Sequence, residues 1–274
     1  VRIGVGLPTT TPGYTGELVV RWAARAEELG FAGLGVLDRV AYDSLDPLMS
    51  LAAAAAVTTR IELITMVVIG PLRATAMLAK QAANVDALSA GRLTLGLSVG
   101  ARAEDFGATG VETRGRGARF TDQLLGLRLA WEEGAVAAAS TPRMLVGGLS
   151  GEAYQRAARF ADGYVHGGGP PRAFARAAEM ARSAWSFLER PGEPALYAQG
   201  YFAVGDDDTG ARYLRDYYAF TGPFAERIAA GNLTTPHAVR DFVRGYADAG
   251  CDHLVLLPTV SDLEQLDRLA EVVA

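Results

Sequence analysis

The turn Gly147-Gly148-Leu149-Ser150, followed by a helical pattern from Gly151 to Phe160, combines the residue types that can hold a phosphate. Glycines let a backbone approach an anion closely, and a serine at a helix N-terminus stands beside N–H groups that no helical carbonyl uses. The same residues also make an ordinary turn and N-cap, so the loop alone leaves both readings open. Glu152 would oppose a phosphate unless it faces solvent. His166, in His166-Gly167-Gly168-Gly169, is the one histidine of three expected at the carboxyl end of a strand. There an imidazole can move a proton or bind phosphate or substrate, and a packed or solvated histidine is the alternative. Ser98 and Gly100 close another strand-like run, where glycine leaves room for a flat ring against the backbone. Arg102, Glu104 and Asp105 follow in a loop that is either functional or solvated.

These residues need a scaffold, and eight strand-like runs supply it: Arg2 to Leu7, Leu34 to Leu37, Ile61 to Ile69, Leu93 to Ser98, Arg143 to Val146, Gly163 to His166, Leu196 to Val204, and His253 to Leu257. Helical patterns lie between them, including Glu17 to Leu29, Pro47 to Val57 and Pro236 to Ala249. Even spacing and the count of eight favour a closed (β/α)8 TIM barrel over an open doubly wound sheet. The segment from Arg60 to Val111 is the clearest βαβ unit. Its first run is β-branched and apolar, as in a strand covered on both faces. Leu78, Ala82, Val85 and Leu88 are expected to share a helical face, with Gly91 at a left-handed C-cap. Thr235 and Pro236 read as an N-cap and first helical residue, and Gly250 ends that helix. An aromatic-rich stretch over 211–231 interrupts the alternation.

In a barrel, chemistry sits at the carboxyl ends of the strands. That filter retains Pro8 to Thr10, Asp38 and Arg39, Thr65 to Val67, Ser98 to Arg102, Gly147 to Ser150, His166 to Gly169, Pro258 and Thr259. His237 begins a helix and His253 lies at the opposite end of its strand, so no metal site is expected. The sole cysteine, Cys251, precedes an apolar strand and is expected to be buried and inert. No P-loop or nucleophile elbow is present, and Ile3 to Pro8 lacks the dinucleotide glycine pattern.

The chain of 274 residues is half hydrophobic and 21% charged, enough for one barrel domain over 1–274 without disulfide staples. Its net charge of −5 disfavours nucleic acid as a partner. The longest apolar runs are too short for a membrane helix, and no cleavable signal pattern opens the chain, which suits a cytoplasmic protein.

Residues 79–111, AKQAANVDALSAGRLTLGLSVGARAEDFGATGV, resemble the matching stretch of the bacterial luciferase-like, flavin- or deazaflavin-dependent oxidoreductases. The resemblance covers most of the chain and implies a TIM barrel with a helical insertion around 211–231. It also implies FMN or coenzyme F420 across the strand ends and a small-molecule substrate, with a homodimer admissible. Met66 and Val67 match a position where relatives carry a β-bulge with a non-proline cis peptide supporting the ring. Ser98 and Gly100 are then expected at the ring. The phosphate falls to Gly147, Gly148, Leu149 and Ser150, with Gly167 and Gly168 beside them. Asp38 and Arg39 match an acidic residue followed by histidine. An arginine in place of that histidine can orient an anion or stabilise an enolate but cannot shuttle protons near neutral pH.

Asp38, Arg39 and His166 are accordingly the candidate catalytic residues. Ala101 stands where deazaflavin-dependent sugar dehydrogenases carry a glutamate, so that sugar oxidation is not expected. Arg114, Arg116 and Arg119 could meet an acidic cofactor tail, though comparable arginines in relatives form a solvated helix start. The stretch between Trp131 and Pro142 is short by family standards, which implies a more open site. The expected activity is oxygen insertion with reduced FMN or hydride transfer with F420; the alternative is a catalytically degenerate flavin-binding protein.

Overall fold

A computed structural model describes residues 1–136, 140–206 and 208–273. Among these residues the parallel strands are β1 (Arg2–Gly6), β2 (Gly33–Val36), β3 (Glu62–Thr65), β4 (Val68–Ile69), β5 (Leu93–Ser98), β6 (Arg143–Gly147), β7 (Gly163–His166), β8 (Ala195–Phe202) and β9 (His253–Pro258). They follow the order β3-β2-β1-β9-β8-β7-β6-β5-β4, and β3 also pairs with β5. β3 and β4 form one interrupted stave, so the sheet closes as an eight-stave barrel.

The interruption corrects the expectation of a continuous strand from Ile61 to Ile69. Ile64 pairs with Thr94 and Val68 with Leu97, so four steps along one strand oppose three along the other. One extra residue is accommodated, which is a β-bulge, and the Met66–Val67 peptide within it is cis.

The helices are α1 (Gly16–Glu28), α2 (Pro47–Val57), α3 (Thr75–Leu88), α4 (Ala103–Thr109), α5 (Arg116–Glu132), α6 (Gly151–Phe160), α7 (Pro171–Phe187), α8 (Thr209–Tyr217), α9 (Phe224–Ala229), α10 (Pro236–Asp248) and α11 (Glu264–Val273). Three begin on side-chain caps from Thr15, Asp46 and Thr235, and Pro236 follows the last as the sequence suggested. On α3, Leu78, Ala82 and Val85 are buried, but Leu88 is 65% exposed. At 100° per residue Leu88 lies about 80° round the helix from Leu78, off the buried stripe. Gly91 is left-handed, yet Ala90 before it already is, so the reversal starts one residue early. The aromatic-rich segment folds as α8, a 3-10 turn over Ala219–Thr221, and α9.

Side chains alternate between barrel interior and helix layer. At the amino-terminal end of the barrel, Glu62 accepts from Tyr197 at 2.7 Å and Thr94 at 2.5 Å and pairs with Arg2 at 3.0 Å. His253 lies 3.3 Å from Glu62, in space left by the missing side chains of Gly4 and Gly33. This closed end confirms that His253 is remote from the strand carboxyl ends. Cys251 is buried, and burial pushes its thiol up to about 12. Among the described residues no helix is long and apolar enough to cross a membrane.

Candidate active site

Strand register brings most of the expected cofactor residues into one arc. Ile69 pairs with Ser98, Leu97 with Val146, and Gly147 with Val165, so the ends of β4, β5, β6 and β7 follow one another round the rim. Met66 is buried toward the interior, whereas Val67 is partly exposed. The Val67 methyl lies where a Cβ on Gly96 would come within 2.9 Å, so that glycine lets Val67 lean over the barrel. Ser98 and Gly100 are half-buried. Gly100 is left-handed, and a Cβ there would meet Ile69 at 2.5 Å and Phe106 at 3.1 Å. On the side where a Cβ would stand, Ile69 and Phe106 fill the space beside Gly100.

Gly148, Leu149 and Ser150 continue the arc as an exposed turn. Ser150 is the N-cap residue of α6 but makes no side-chain cap bond. Glu152 is exposed, and its own N–H and the Ser150 hydroxyl hold its carboxyl below the ordinary value. A Cβ on Gly167 would meet nothing within 4 Å, which leaves open space beside this turn, and Gly168 follows in a left-handed conformation. An anion can approach these backbone donors from solvent.

Asp38 and Arg39 do not act on each other. Asp38 is fully buried and takes a two-pronged contact from Arg73, at 2.6 and 2.9 Å, plus the Ile69 N–H at 2.7 Å. Burial pushes its carboxyl above the ordinary value, opposed by Arg73. Arg39 donates to Asp105 at 2.8 Å, and Asp105 also accepts the Val40 and Ala41 N–H groups. Both Arg39 and Asp105 are buried, and the Arg39 guanidinium lies over the rings of Tyr42 and Tyr217. Two adjacent charges thus belong to separate ion pairs.

His166 is brought to the strand end but turned outward. Val165 faces the interior cluster, while His166 packs edge-on against Phe174 in the helix layer. It is 2% exposed, its Nε2 has no hydrogen-bond partner, and burial pushes its pKa below 6.5. Its neighbour Tyr164 donates to the Gly148 carbonyl at 2.8 Å, and the Tyr164 hydroxyl lies 3.5 Å from His166 Nδ1. A neutral imidazole here supports the Gly148 turn and does not face the barrel mouth.

The mouth itself is roofed by tyrosines of the aromatic-rich stretch over 211–231. Tyr213 and Tyr217 of α8 are buried against Leu37, Met66 and Leu257. Thr10 and the Tyr213 hydroxyl are 2.6 Å apart, and the Tyr201 and Tyr218 hydroxyls 2.5 Å. Burial pushes all of these phenols up, so they remain protonated donors. Arg102 lies over the rings of Tyr217, Tyr218 and Phe220 and donates to the Tyr217 carbonyl. Arg73 carried no signal in the sequence, whereas the aromatic-rich stretch over 211–231 admits both packing and cover for a site, and the fold uses it as cover. The available signal was the spacing of Tyr213 and Tyr217, one helical turn apart on a single face.

Arg119 donates to the carbonyls of Arg114 and Glu112, and Arg116 to that of Thr113, so these arginines brace their own turn. Among the described residues no group of three or more His, Cys, Asp or Glu is placed to hold a metal ion.

A family model described as luciferase-like monooxygenase matches residues 2–250. An uncharacterized protein of Mycobacterium tuberculosis is 29% identical over 187 residues, covering 54% of this chain and 65% of the relative. The chain thus spans less than two thirds of the length of the curated relatives it matches. An F420-dependent secondary alcohol dehydrogenase, solved with an F420-acetone adduct, superposes with a TM-score of 0.84 at 15% identity, over 99% of this chain and 98% of that one. The FMN complex of the oxygenating constituent of 3,6-diketocamphane monooxygenase from Pseudomonas putida gives 0.75 at 16% identity, over 100% and 98%. At such identities the likeness establishes the fold.

Proposed function

The chain belongs to the luciferase-like monooxygenase family, and on that premise we propose that it is an oxidoreductase using FMN or coenzyme F420 on a small organic substrate. The observation that carries this reading is the arc of partly exposed residues on four successive strand ends, from Val67 through Ser98 to Gly148 and Gly167. It offers a flat group one apolar wall and, at its far end, backbone donors for an anion. When bound, the cofactor supplies the redox chemistry, as oxygen insertion with FMN or hydride transfer with F420.

The residues of the chain do the rest. Val67 and Ser98 back the ring, and the N–H groups of Gly148 to Gly151 and of Gly167 and Gly168 hold the phosphate. Tyr164 fixes the Gly148 carbonyl, and His166 positions Tyr164. Asp38 ties β2 to the segment after β4, because it joins Arg73 and the Ile69 N–H. Arg39 anchors the roof through Tyr217. Tyr201, Tyr213 and Tyr218 cover the strand ends against water, with their protonated hydroxyls paired to one another and to Thr10.

Titration of the purified protein with FMN and with F420, followed by fluorescence, tests this reading. One of the two is expected to bind, and its reduced form to be oxidised faster with a substrate present, with or without oxygen according to the reaction. Binding of neither overturns the proposal. Binding without substrate-dependent turnover for any compound in a metabolite screen supports the degenerate, ligand-holding alternative.

A further inference from the structure

Three arginines surround the roofed mouth, and they differ in one respect. Arg39 has Asp105 and Arg73 has Asp38 as carboxylate partners. Arg102, equally placed at the mouth and partly buried, has none among the described residues within 4.0 Å. Asp105 is engaged by Arg39 and two N–H groups and Asp216 by the Tyr42 hydroxyl at 2.7 Å, while Glu104 is exposed and more than 4.0 Å from the Arg102 guanidinium. What surrounds the Arg102 guanidinium is aromatic, with ring centres at 4.1 Å for Tyr217, 4.3 Å for Phe220 and 5.2 Å for Tyr218. Among the described residues its guanidinium donates one hydrogen bond, to the Tyr217 carbonyl.

Aromatic faces hold a guanidinium flat and strip part of its water, but they supply no counter-charge. A planar fork oriented in this way matches a carboxylate. Phe220 and Val40 remain about two-fifths exposed at the same rim, so an incoming anion would find apolar surface beside the charge. Arg102 also follows Ser98 by only four residues, which sets it between the arc and the roof.

We propose that Arg102 recognises the carboxylate of the substrate, and that the substrate is an organic acid with an aromatic or aliphatic body that lies against Phe220 and the tyrosine roof. This assignment rests on the substrate entering beneath the roof, as in the function proposed above. The cofactor is the other source of an anion, and the experiment separates the two.

Calorimetric titration of the full chain with 2-naphthoate against 2-naphthamide, and with decanoate against decanamide, reads the preference without requiring turnover. At least one acid is expected to bind about tenfold or more tighter than its amide, since a hydrogen bond to a charged partner is worth that much. Arg102→Gln is expected to abolish the difference while leaving the affinity for FMN or F420 within about twofold, and Arg102→Lys to retain part of it. Equal affinity for acids and amides, or binding of none of the four, overturns the proposal. So does a preference that survives in Arg102→Gln, or a tenfold loss of cofactor affinity in that variant. A failure of FMN and F420 to bind, with the acid preference intact, would count against the cofactor reading alone.

Discussion

Asp38 holds its charge at the barrel mouth without exposed surface, between Arg73 and the Ile69 N–H. Removing one member of a buried pair leaves the other charge uncompensated, at a cost of about 3 kcal/mol. Asp38→Asn is therefore expected to lower the unfolding free energy in urea by about that much. Combining it with Arg73→Gln should cost less than the sum of the two single changes, because both remove the same contact. A fully stable Asp38→Asn protein without turnover would show that the carboxylate acts on substrate instead. The sequence placed Asp38 and Arg39 at a strand end but carried no sign that each pairs with a different distant residue of opposite charge. Consecutive residues of extended chain point to opposite sides. Their partners, 35 residues on at Arg73 and 66 on at Asp105, leave no periodic trace in the sequence.

The roof formed by α8, the 3-10 turn and α9 depends on the Tyr217 ring, which Arg39, Arg102 and Tyr42 all touch. Truncating a buried aromatic costs about 3 kcal/mol or more, and here the loss falls on one element. In Tyr217→Ala, amide hydrogens of α8 and α9 are expected to exchange faster while those of β1, β8 and β9 keep their protection. Uniformly faster exchange across the barrel would show that the roof and barrel unfold as one unit. At this scale the sequence was informative about existence and poor about edges. The 211–231 stretch stood out because it broke an alternation, but which of its tyrosines face the barrel depends on where α8 lands. The bulge at Met66 and Val67 was expected only through resemblance, since an apolar run carries no mark of a register slip.

At the scale of the whole barrel, eight staves were legible because strands covered on both faces are almost wholly apolar. The polar closure at the amino-terminal end was not, for it joins Glu62, Thr94, Tyr197 and His253 from four separate staves. Buried groups at both ends of the barrel make stability depend on pH in two windows. His166 and His253 are buried with pKa values pushed below 6.5 by desolvation, so the unfolded chain binds protons first. Stability is accordingly complete above about 6.5 and declines as pH falls through that value. Glu62 follows lower down. Its neighbours outweigh burial and hold its carboxyl at about 2 against an ordinary 4.5, so its contribution is present above 4.5 and is lost between 4.5 and about 2. That difference corresponds to roughly 3 kcal/mol. Urea unfolding at a series of pH values should show both declines. Glu62→Gln should be less stable at neutral pH and lose part of the lower decline while keeping the upper one, because an amide takes up no proton in that range; the remainder belongs to Glu27, which the N–H groups of Thr59, Arg60 and Ile61 also hold at about 2. If the variant kept the full slope between pH 4.5 and 2, the acid sensitivity would have to arise from other carboxylates, and the Glu62 closure would not be what makes the barrel acid-labile.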